Sequence, residues 1–142
     1  MKRLKIEFPT KFNFHCSIPL RITDINVGGH VGNDRILTLM HEARVRYLQS
    51  FGYSELNTEG FGLTLIDAEI EYKKEIFYPS DLVVSITAAN FDNLGFDIYY
   101  LFQVIQDHNE TIVAKAKTSM ISFDYNLRKR VPLPPQISII LN

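Results

Sequence analysis

The amino-acid sequence predicts an α+β fold in which one long central helix is wrapped by a curved antiparallel sheet of about five strands. Only one segment has the apolar spacing of a long amphipathic helix. Strand-like runs flank it, one before it and four after it. An amphipathic helix has to bury its apolar face, and an antiparallel sheet with one apolar face can cover it.

The helix is predicted from Asn33 to Phe51. Asn33 is the expected N-cap, and Asp34 in the first turn suits the positive end of the helix dipole. Gly52 follows the last apolar position and can adopt the left-handed conformation that ends helices. The apolar residues that recur at spacings of three and four are Ile36, Leu39, Met40, Ala43, Tyr47, Leu48 and Phe51.

The strands are predicted from alternating and β-branched runs. Before the helix, FNFHCSIPLRI contains Pro19, which indicates an edge strand or a bulge. After the helix, GLTLIDAEIEYKKEI alternates apolar and polar residues with an interruption near Asp67. The runs DLVVSITAANF, FDIYYLFQVIQ and TIVAKAKTSMISF follow, separated by turn-rich segments of hairpin length. We therefore expect the last three strands to form an antiparallel meander.

Composition narrows the class of protein. The chain of 142 residues is expected to form a single domain, 1–142, large enough to bury a core. A net charge of −1 gives no general attraction to nucleic acid or to an anionic membrane, so neither is expected as a partner. The single cysteine cannot form an internal disulfide, and the N-terminus lacks the apolar segment of a signal peptide. These features predict a cytoplasmic protein.

The stretch TDINVGGHVGNDR, residues 23–35, combines polar side chains and glycines directly before the helix. A helix N-terminus carries unpaired N–H groups and favours negative charge. Asn26 is a neutral amide and cannot take up a proton at physiological pH. If residues 22–26 are extended, Asp24 lies on the same side as Asn26 and can act as a base; alternatively, Asp24 caps the loop. His30 is the other candidate base, or a residue that shapes the loop.

The same residues resemble a known family. Its pattern D-x-D-x-x-G-H-V-N-N-x-x-Y-L-x-x-x-E-x-A-R is similar to DINVGGHVGNDRIL followed by HEAR in this chain. The resemblance is to the hotdog fold, specifically the 4-hydroxybenzoyl-CoA thioesterase and acyl-CoA thioesterase branch. The matching residues are Asp24, Gly29, His30, Val31, Asn33, Leu37, Glu42, Ala43 and Arg44.

The resemblance implies an acyl-CoA thioesterase that hydrolyses an acyl thioester to a carboxylic acid and a free thiol, with no metal and no cofactor. It places the thioester carbonyl near the backbone N–H of Asn33. It also implies a homodimer or homotetramer. The residues expected to carry catalysis are Asn26, Asp24 and His30. The residues expected to bind substrate are Gly29, Asn33, Glu42 and Arg44.

Several of these residues have alternative interpretations. Glu42 lies four residues before Arg46, the favourable order for a surface ion pair. Gly29, beside Gly28, either lets the chain approach substrate closely or simply forms a turn. The four histidines show no metal-ligand spacing, and no G-x-S-x-G motif is present.

The position of Asn26 leaves two functions open. In the family, an aspartate at this position usually acts as nucleophile or general base on the thioester. Some hotdog thioesterases of polyketide pathways resemble this chain in having an asparagine there and an arginine on the helix, the place that Arg44 occupies. The alternative is a hotdog protein that binds acyl thioesters without hydrolysing them.

Overall fold

The computed structural model describes residues 1–142 as an α+β fold built on one antiparallel sheet. The elements in chain order are β1 (Phe14–Ile18), α1 (Arg35–Ser50), β2 (Gly62–Tyr72), β3 (Asp81–Ala89), β4 (Gly95–Gln106), β5 (Asn109–Asp124), β6 (Lys129–Arg130) and α2 (Pro135–Leu141). The strand order across the sheet is β1-β3-β4-β5-β2, and the short β6 pairs with β5. The α+β prediction is confirmed, with a sixth strand and a second helix added to it.

Strands β3, β4 and β5 form the predicted antiparallel meander at the centre of the sheet. Asp107 and His108 connect β4 to β5, and both adopt positive φ, at 50° and 63°. Two successive left-handed residues are typical of the tight hairpin turn whose twist matches that of the strands. This turn sets the pairing of β4 with β5, which runs from Gly95 opposite Ile121 to Gln106 opposite Asn109.

The two outer strands confirm the local irregularities expected from the sequence. β1 ends at Ile18, directly before Pro19, and lies at one edge of the sheet. β2 forms the other edge and pairs with β5 alone. Its register shifts between Leu65 and Asp67, where the sequence predicted an interruption. Leu65 and Ile66, on this edge strand, are exposed.

Helix α1 begins at Arg35, two residues later than predicted, and Asn33 is not its N-cap. The side chain of Asn33 accepts a hydrogen bond from the N–H of Asp34, at 2.9 Å, and the N–H of Arg35 donates to the carbonyl of Gly32. Asp34 takes the cap position without a side-chain capping bond. The helix therefore starts from a turn that Gly32–Arg35 closes, and the prediction of an Asn33 cap was wrong.

The apolar face of α1 is buried as predicted and packs against one face of the central strands. Helix residues of this core include Leu39, Met40, Ala43, Tyr47 and Leu48, each at most 3% exposed. The sheet contributes aligned rows of partners: Ile86, Tyr100 and Ala116 are cross-strand neighbours, as are Val84, Phe102 and Ala114. At the other end of the helix, Gly52 has φ +79°, the conformation expected for its cap.

The sequence interpretation missed helix α2. Ile137 and Leu141, four residues apart, are fully buried in the same core as α1. The hydroxyl of Tyr47 and the side-chain amide of Asn13 both donate to the carbonyl of Leu141, at 3.1 and 3.0 Å. Seven residues are too few for a periodic pattern to stand out, and these partners are distant in sequence. Neither helix has the length and hydropathy needed to cross a membrane.

The packing of α2 predicts a large effect for one substitution and a small effect for its neighbour. Ile137→Ala leaves a cavity in the core and should lower the free energy of unfolding by about 2–5 kcal/mol. Ile139, on the same helix, is 78% exposed, so Ile139→Ala should change the free energy of unfolding by less than about 0.5 kcal/mol. Equilibrium urea unfolding of both variants measures the difference. Equal effects would mean that α2 does not dock on the core.

Candidate active site

The polar loop before α1 is closed by its own hydrogen bonds. The N–H of Gly32 donates to the carbonyl of Asp24 at 3.0 Å, and Ile25 and Val31 form an isolated antiparallel bridge. Residues Ile22–Asp24 form a short 3-10 helix, so residues 22–26 are not extended as the catalytic interpretation of Asp24 required. The Asp24 carboxylate accepts the N–H of Arg21 at 2.8 Å. Asp24 therefore caps the loop, which was the alternative interpretation of this residue.

Asn26 holds the centre of the loop through its side-chain oxygen. Oδ1 accepts the N–H of Gly28 at 3.0 Å and the N–H of His30 at 3.3 Å. The backbone adds two bonds, from Asn26 N–H to the carbonyl of His30 and from Gly29 N–H to the carbonyl of Asn26. Gly29 has φ +84°, which a turn of this shape requires. Both donors to Oδ1 identify the oxygen end of the amide, so Nδ2 is the end left for other contacts.

His30 is half-buried at the end of this loop, and its two ring nitrogens have different surroundings. Nδ1 lies 3.1 Å from the carbonyl of Val31, an acceptor, so Nδ1 carries the proton in the neutral ring. Nε2 is then unprotonated and lies 3.7 Å from Oε1 of Glu75. A Cβ atom on Gly28 would lie 3.3 Å from both Nε2 of His30 and Oδ1 of Asn26, so these side chains converge on Gly28.

A cleft of about 350 Å³ opens beside His30 and the start of α1, within the size range of small-molecule sites. Of the residues predicted for the site, it brings together His30 and Asn33. Its other walls come from the first turn of α1, the end of β2 with the segment after it, and β5, and include Ile36, Tyr72, Glu75 and Val113. A second cavity of about 840 Å³ adjoins it and shares Lys74, Glu75 and Val113.

Asn33 lines this cleft, and its backbone has one free donor. Its N–H donates to no group of the protein, and its carbonyl accepts the hydroxyl of Tyr72 at 2.9 Å. Burial, with a smaller contribution from the Asp34 carboxylate, raises the pKa of Tyr72 and keeps that hydroxyl a donor. An N–H without a partner at the start of a helix is suited to bind a developing negative charge.

The other helix residues predicted to bind substrate lie outside this cleft. Glu42 forms the predicted ion pair with Arg46, at 2.6 Å on the exposed side of α1. Arg44 is 6% exposed. Its Nε pairs with the carboxylate of Glu55, and its terminal nitrogen donates to the hydroxyl of Tyr100 at 3.3 Å. Burial alone would lower the pKa of Arg44, but Tyr100 and Glu55 outweigh it and the net pKa is raised.

The sequence interpretation missed Glu75 as a residue of the site. It follows β2 in the charged run KKEI and belongs to no motif. Its place in the cleft depends on tertiary hydrogen bonds of its segment, among them the bond in which the N–H of Val31 donates to the carbonyl of Ile76 at 2.8 Å. Lys73 and Lys74 also line the cleft. No group of three or more His, Cys, Asp or Glu side chains is arranged to bind a metal ion.

One long helix packed on an antiparallel sheet, with a loop and a cleft at the start of the helix, is the architecture of the hotdog class. The chain belongs to the thioesterase-like superfamily, whose family model matches residues 20–141. The predicted fold and family are confirmed by this match and by the structural neighbours.

The relatives of the chain include two proteins named 1,4-dihydroxy-2-naphthoyl-CoA hydrolase. The one from Microcystis aeruginosa is 27% identical over 122 residues, which cover 82% of this chain and 83% of the relative. The one from Rippkaea orientalis is 23% identical over 117 residues, which cover 80% of this chain and 84% of the relative. Among solved structures, a 1,4-dihydroxy-2-naphthoyl-CoA thioesterase from Synechocystis superposes with a TM-score of 0.77 at 24% identity, covering 90% of this chain and 94% of that chain.

The surroundings of Arg44 predict that it stabilises the fold. Arg44→Ala leaves the Glu55 carboxylate and the buried Tyr100 hydroxyl without their cation, and should lower the free energy of unfolding by about 3 kcal/mol. Arg46→Ala, on the exposed side of the same helix, should lower the free energy of unfolding by less than about 1 kcal/mol. Thermal and urea unfolding compare the two. An Arg44→Ala protein that is as stable as Arg46→Ala but binds acyl-CoA poorly would instead support a substrate-binding role.

Proposed function

We propose that the chain is an acyl-CoA thioesterase, hydrolysing an acyl thioester to a carboxylic acid and a free thiol. One observation carries the proposal: the cleft of this thioesterase-like protein is lined by Asn33, whose backbone N–H has no partner, and by His30, whose Nε2 can accept a proton. Thioester hydrolysis requires these two groups, a donor for the carbonyl oxygen and an acceptor for the proton of water.

Each of these groups has one role in the proposed mechanism. The N–H of Asn33 binds the thioester carbonyl oxygen and stabilises the negative charge that forms on it. His30 accepts a proton at Nε2 as water attacks the carbonyl carbon, while Nδ1–H stays bonded to the carbonyl of Val31. The tetrahedral intermediate then collapses, the carbon–sulfur bond breaks, and the thiolate leaves and is protonated. We assign the base to His30 rather than to Asp24, whose carboxylate accepts the N–H of Arg21.

Asn26 has an organising role in this mechanism. Its Oδ1 holds the N–H groups of Gly28 and His30, so it sets the position of the histidine backbone. Its Nδ2 is a hydrogen-bond donor that can orient water or substrate at the loop. The neutral amide is also the observation that favours the second candidate function, binding of acyl thioesters without hydrolysis, because no carboxylate stands at this position.

The substrate we propose to test first is 1,4-dihydroxy-2-naphthoyl-CoA, the thioester in the names of both relatives. The side chains of Val31, Ile36 and Val113 give the cleft apolar walls suited to an aromatic acyl group. The adjoining cavity of about 840 Å³ allows the rest of the substrate to extend away from His30. A panel of short, long and aromatic acyl-CoA thioesters would define the preference.

We also propose that two copies associate along β2. This strand has an unpaired outer edge of 11 residues, with Leu65 and Ile66 40% and 50% exposed. A long edge strand with apolar side chains favours pairing with another strand. Because Tyr72, at the end of β2, lines the cleft, a partner on this edge would lie close to the site. Pairs of such dimers would give the homotetramer.

The activity is tested by measuring thiol release from the thioester panel. The wild-type protein should turn over at least one substrate well above background, and His30→Ala should reduce kcat by about 100-fold or more through loss of the base. His41→Ala is the matched control, since His41 lies on the exposed side of α1 and contacts Glu55. Unchanged turnover in His30→Ala would contradict the assignment of the base.

A lack of turnover on every substrate would remove the enzyme proposal. Retained binding of acyl-CoA, measured by calorimetry, would then favour the binding protein. Asn26→Asp tests that case directly, because an aspartate keeps both bonds to Gly28 and His30 and adds a carboxylate oxygen where Nδ2 lies. Hydrolysis gained by Asn26→Asp would show that only the base was absent.

The proposed association predicts a change of mass on substitution at the β2 edge. Sedimentation velocity at micromolar concentration should give at least twice the mass of one chain. Ile66→Lys should shift the protein to the monomer, because a lysine on an edge strand opposes pairing. Leu127→Lys, in the turn before β6, places the same charge on an exposed leucine and should leave the mass unchanged. A monomeric wild type would exclude the interface.

A further inference from the structure

Glu75 is held at the cleft by backbone hydrogen bonds on both sides. The N–H groups of Lys73 and Lys74 both donate to the carbonyl of Val113 on β5, at 2.9 and 3.1 Å. On the other side, the carbonyl of Ile76 accepts the N–H of Val31, the residue that follows His30. The segment therefore connects the edge of the sheet to the loop, and the position of Glu75 is coupled to that of His30.

Apart from the ring of His30, no basic side chain lies within ion-pairing distance of the Glu75 carboxylate. Lys73 pairs with Glu71, and Lys74 forms no ion pair. The single close contact of the Glu75 carboxylate is His30, whose Nε2 lies 3.7 Å from Oε1. In the neutral ring Nε2 is an acceptor, as the carboxylate is, so the two do not bond directly to each other. Their separation allows one water molecule to donate a hydrogen bond to each.

We propose that Glu75 is a catalytic carboxylate of this site, which acts with His30 to bind and activate the attacking water. The inference rests on the proposed hydrolysis and adds a residue to it. A water that donates one O–H to Glu75 and the other to His30 has both hydrogens engaged, which leaves its oxygen lone pairs free to attack a carbonyl. Glu75 thereby supplies, from the segment after β2, the negative charge that the loop lacks at Asn26.

In the hydrolysis step, the water proton passes through His30 to the leaving thiolate. The water oxygen bonds to the thioester carbon, and one water proton moves to Nε2 of His30. The imidazolium that forms faces the Glu75 carboxylate at 3.7 Å, so the new positive charge is stabilised as it develops. The carbonyl electrons move to oxygen, at the N–H of Asn33. When the carbon–sulfur bond breaks, the leaving thiolate takes the proton from His30, which restores the neutral ring.

The other polar side chains around Glu75 and His30 are not proton acceptors, which supports this role for Glu75. Lys73 and Lys74 approach from the same segment, and Tyr72 approaches from β2, where it donates to the carbonyl of Asn33. None of these groups can accept a proton from water in its usual ionisation state. Within the cleft, Glu75 and His30 are therefore the two side chains that can accept a proton from water. The side chain of Glu75 is 60% exposed, so water reaches it.

The test is steady-state hydrolysis of the best substrate in the panel by three proteins. Glu75→Gln keeps the shape of the side chain and removes its charge; it should lower kcat by about 100-fold with little change in KM. Glu110→Gln is the matched control, because Glu110 is an exposed glutamate at the start of β5 with a bond only to Gln103, and it should retain full activity. Circular dichroism and the melting temperature should match the wild type for both.

Chemical rescue separates a catalytic carboxylate from a structural one. Glu75→Ala should be as slow as Glu75→Gln, and sodium formate should raise its rate in proportion to concentration, whereas sodium chloride at equal ionic strength should not. Glu75→Gln that keeps kcat within twofold of an active wild type, or Glu75→Ala without formate rescue, would overturn the role of Glu75 and leave the thioesterase proposal standing. A wild type that hydrolyses no thioester would overturn both.

Discussion

Burial of the apolar face of α1 against the central strands is the constraint on which the rest of the structure depends. The core that forms there joins the helix to β3, β4 and β5, and it also receives both buried residues of α2. Small side chains on β5, at Ala114 and Ala116, lie opposite the large rings of Phe102 and Tyr100 on β4. Removing this apolar surface from water contributes roughly 25 cal/mol for each Å². Because the helix is fixed in this way, the position of its N-terminus is fixed too.

The cleft is a consequence of that fixed helix start. The loop before α1 closes on itself through Asp24 and Asn26, which leaves few ways for it to meet the sheet. The bond from Val31 to the carbonyl of Ile76 joins the loop to the chain after β2, and Lys73 and Lys74 join that chain to β5. The site is thus assembled from three parts of the sequence by backbone hydrogen bonds. Such bonds place side chains without depending on their identity.

The sequence was informative wherever a local pattern determined the structure. The buried face of α1, the Pro19 strand end, the β2 bulge and the hairpin meander all follow from spacing and turn residues, and all are confirmed. The helix start was misplaced, since Asn33 bonds the next residue instead of capping α1. The residue at which the helix starts depends on the turn closed by the hydrogen bond between Gly32 and Arg35. Two caps of similar strength cannot be ranked from sequence alone.

The same limit applies to the site. Glu75 lies in a charged run of the kind that is usually solvated, and tertiary backbone bonds on both sides of it bring it to His30. Arg44 is the reverse case, because the motif drew attention to a residue whose contacts in the structure are with Glu55 and Tyr100, and its substrate-binding role stays a prediction. A motif preserves residue types at given spacings, but the partners of a side chain are set by the elements that pack around it. Long-range contacts of this kind leave no periodic signal in the chain.

The chemistry of Asn26 and that of Glu75 fit together. Both side chains are oriented around His30, one through the loop backbone and the other across the cleft. A carboxylate at residue 26 would add a second negative charge near His30, and its repulsion with Glu75 would raise the free energy of the doubly ionised site. An amide at residue 26 keeps both loop hydrogen bonds, since its oxygen accepts them as a carboxylate would, without adding a second charge. A neutral residue in the loop is therefore compatible with the proposed role of Glu75 as the carboxylate of the site.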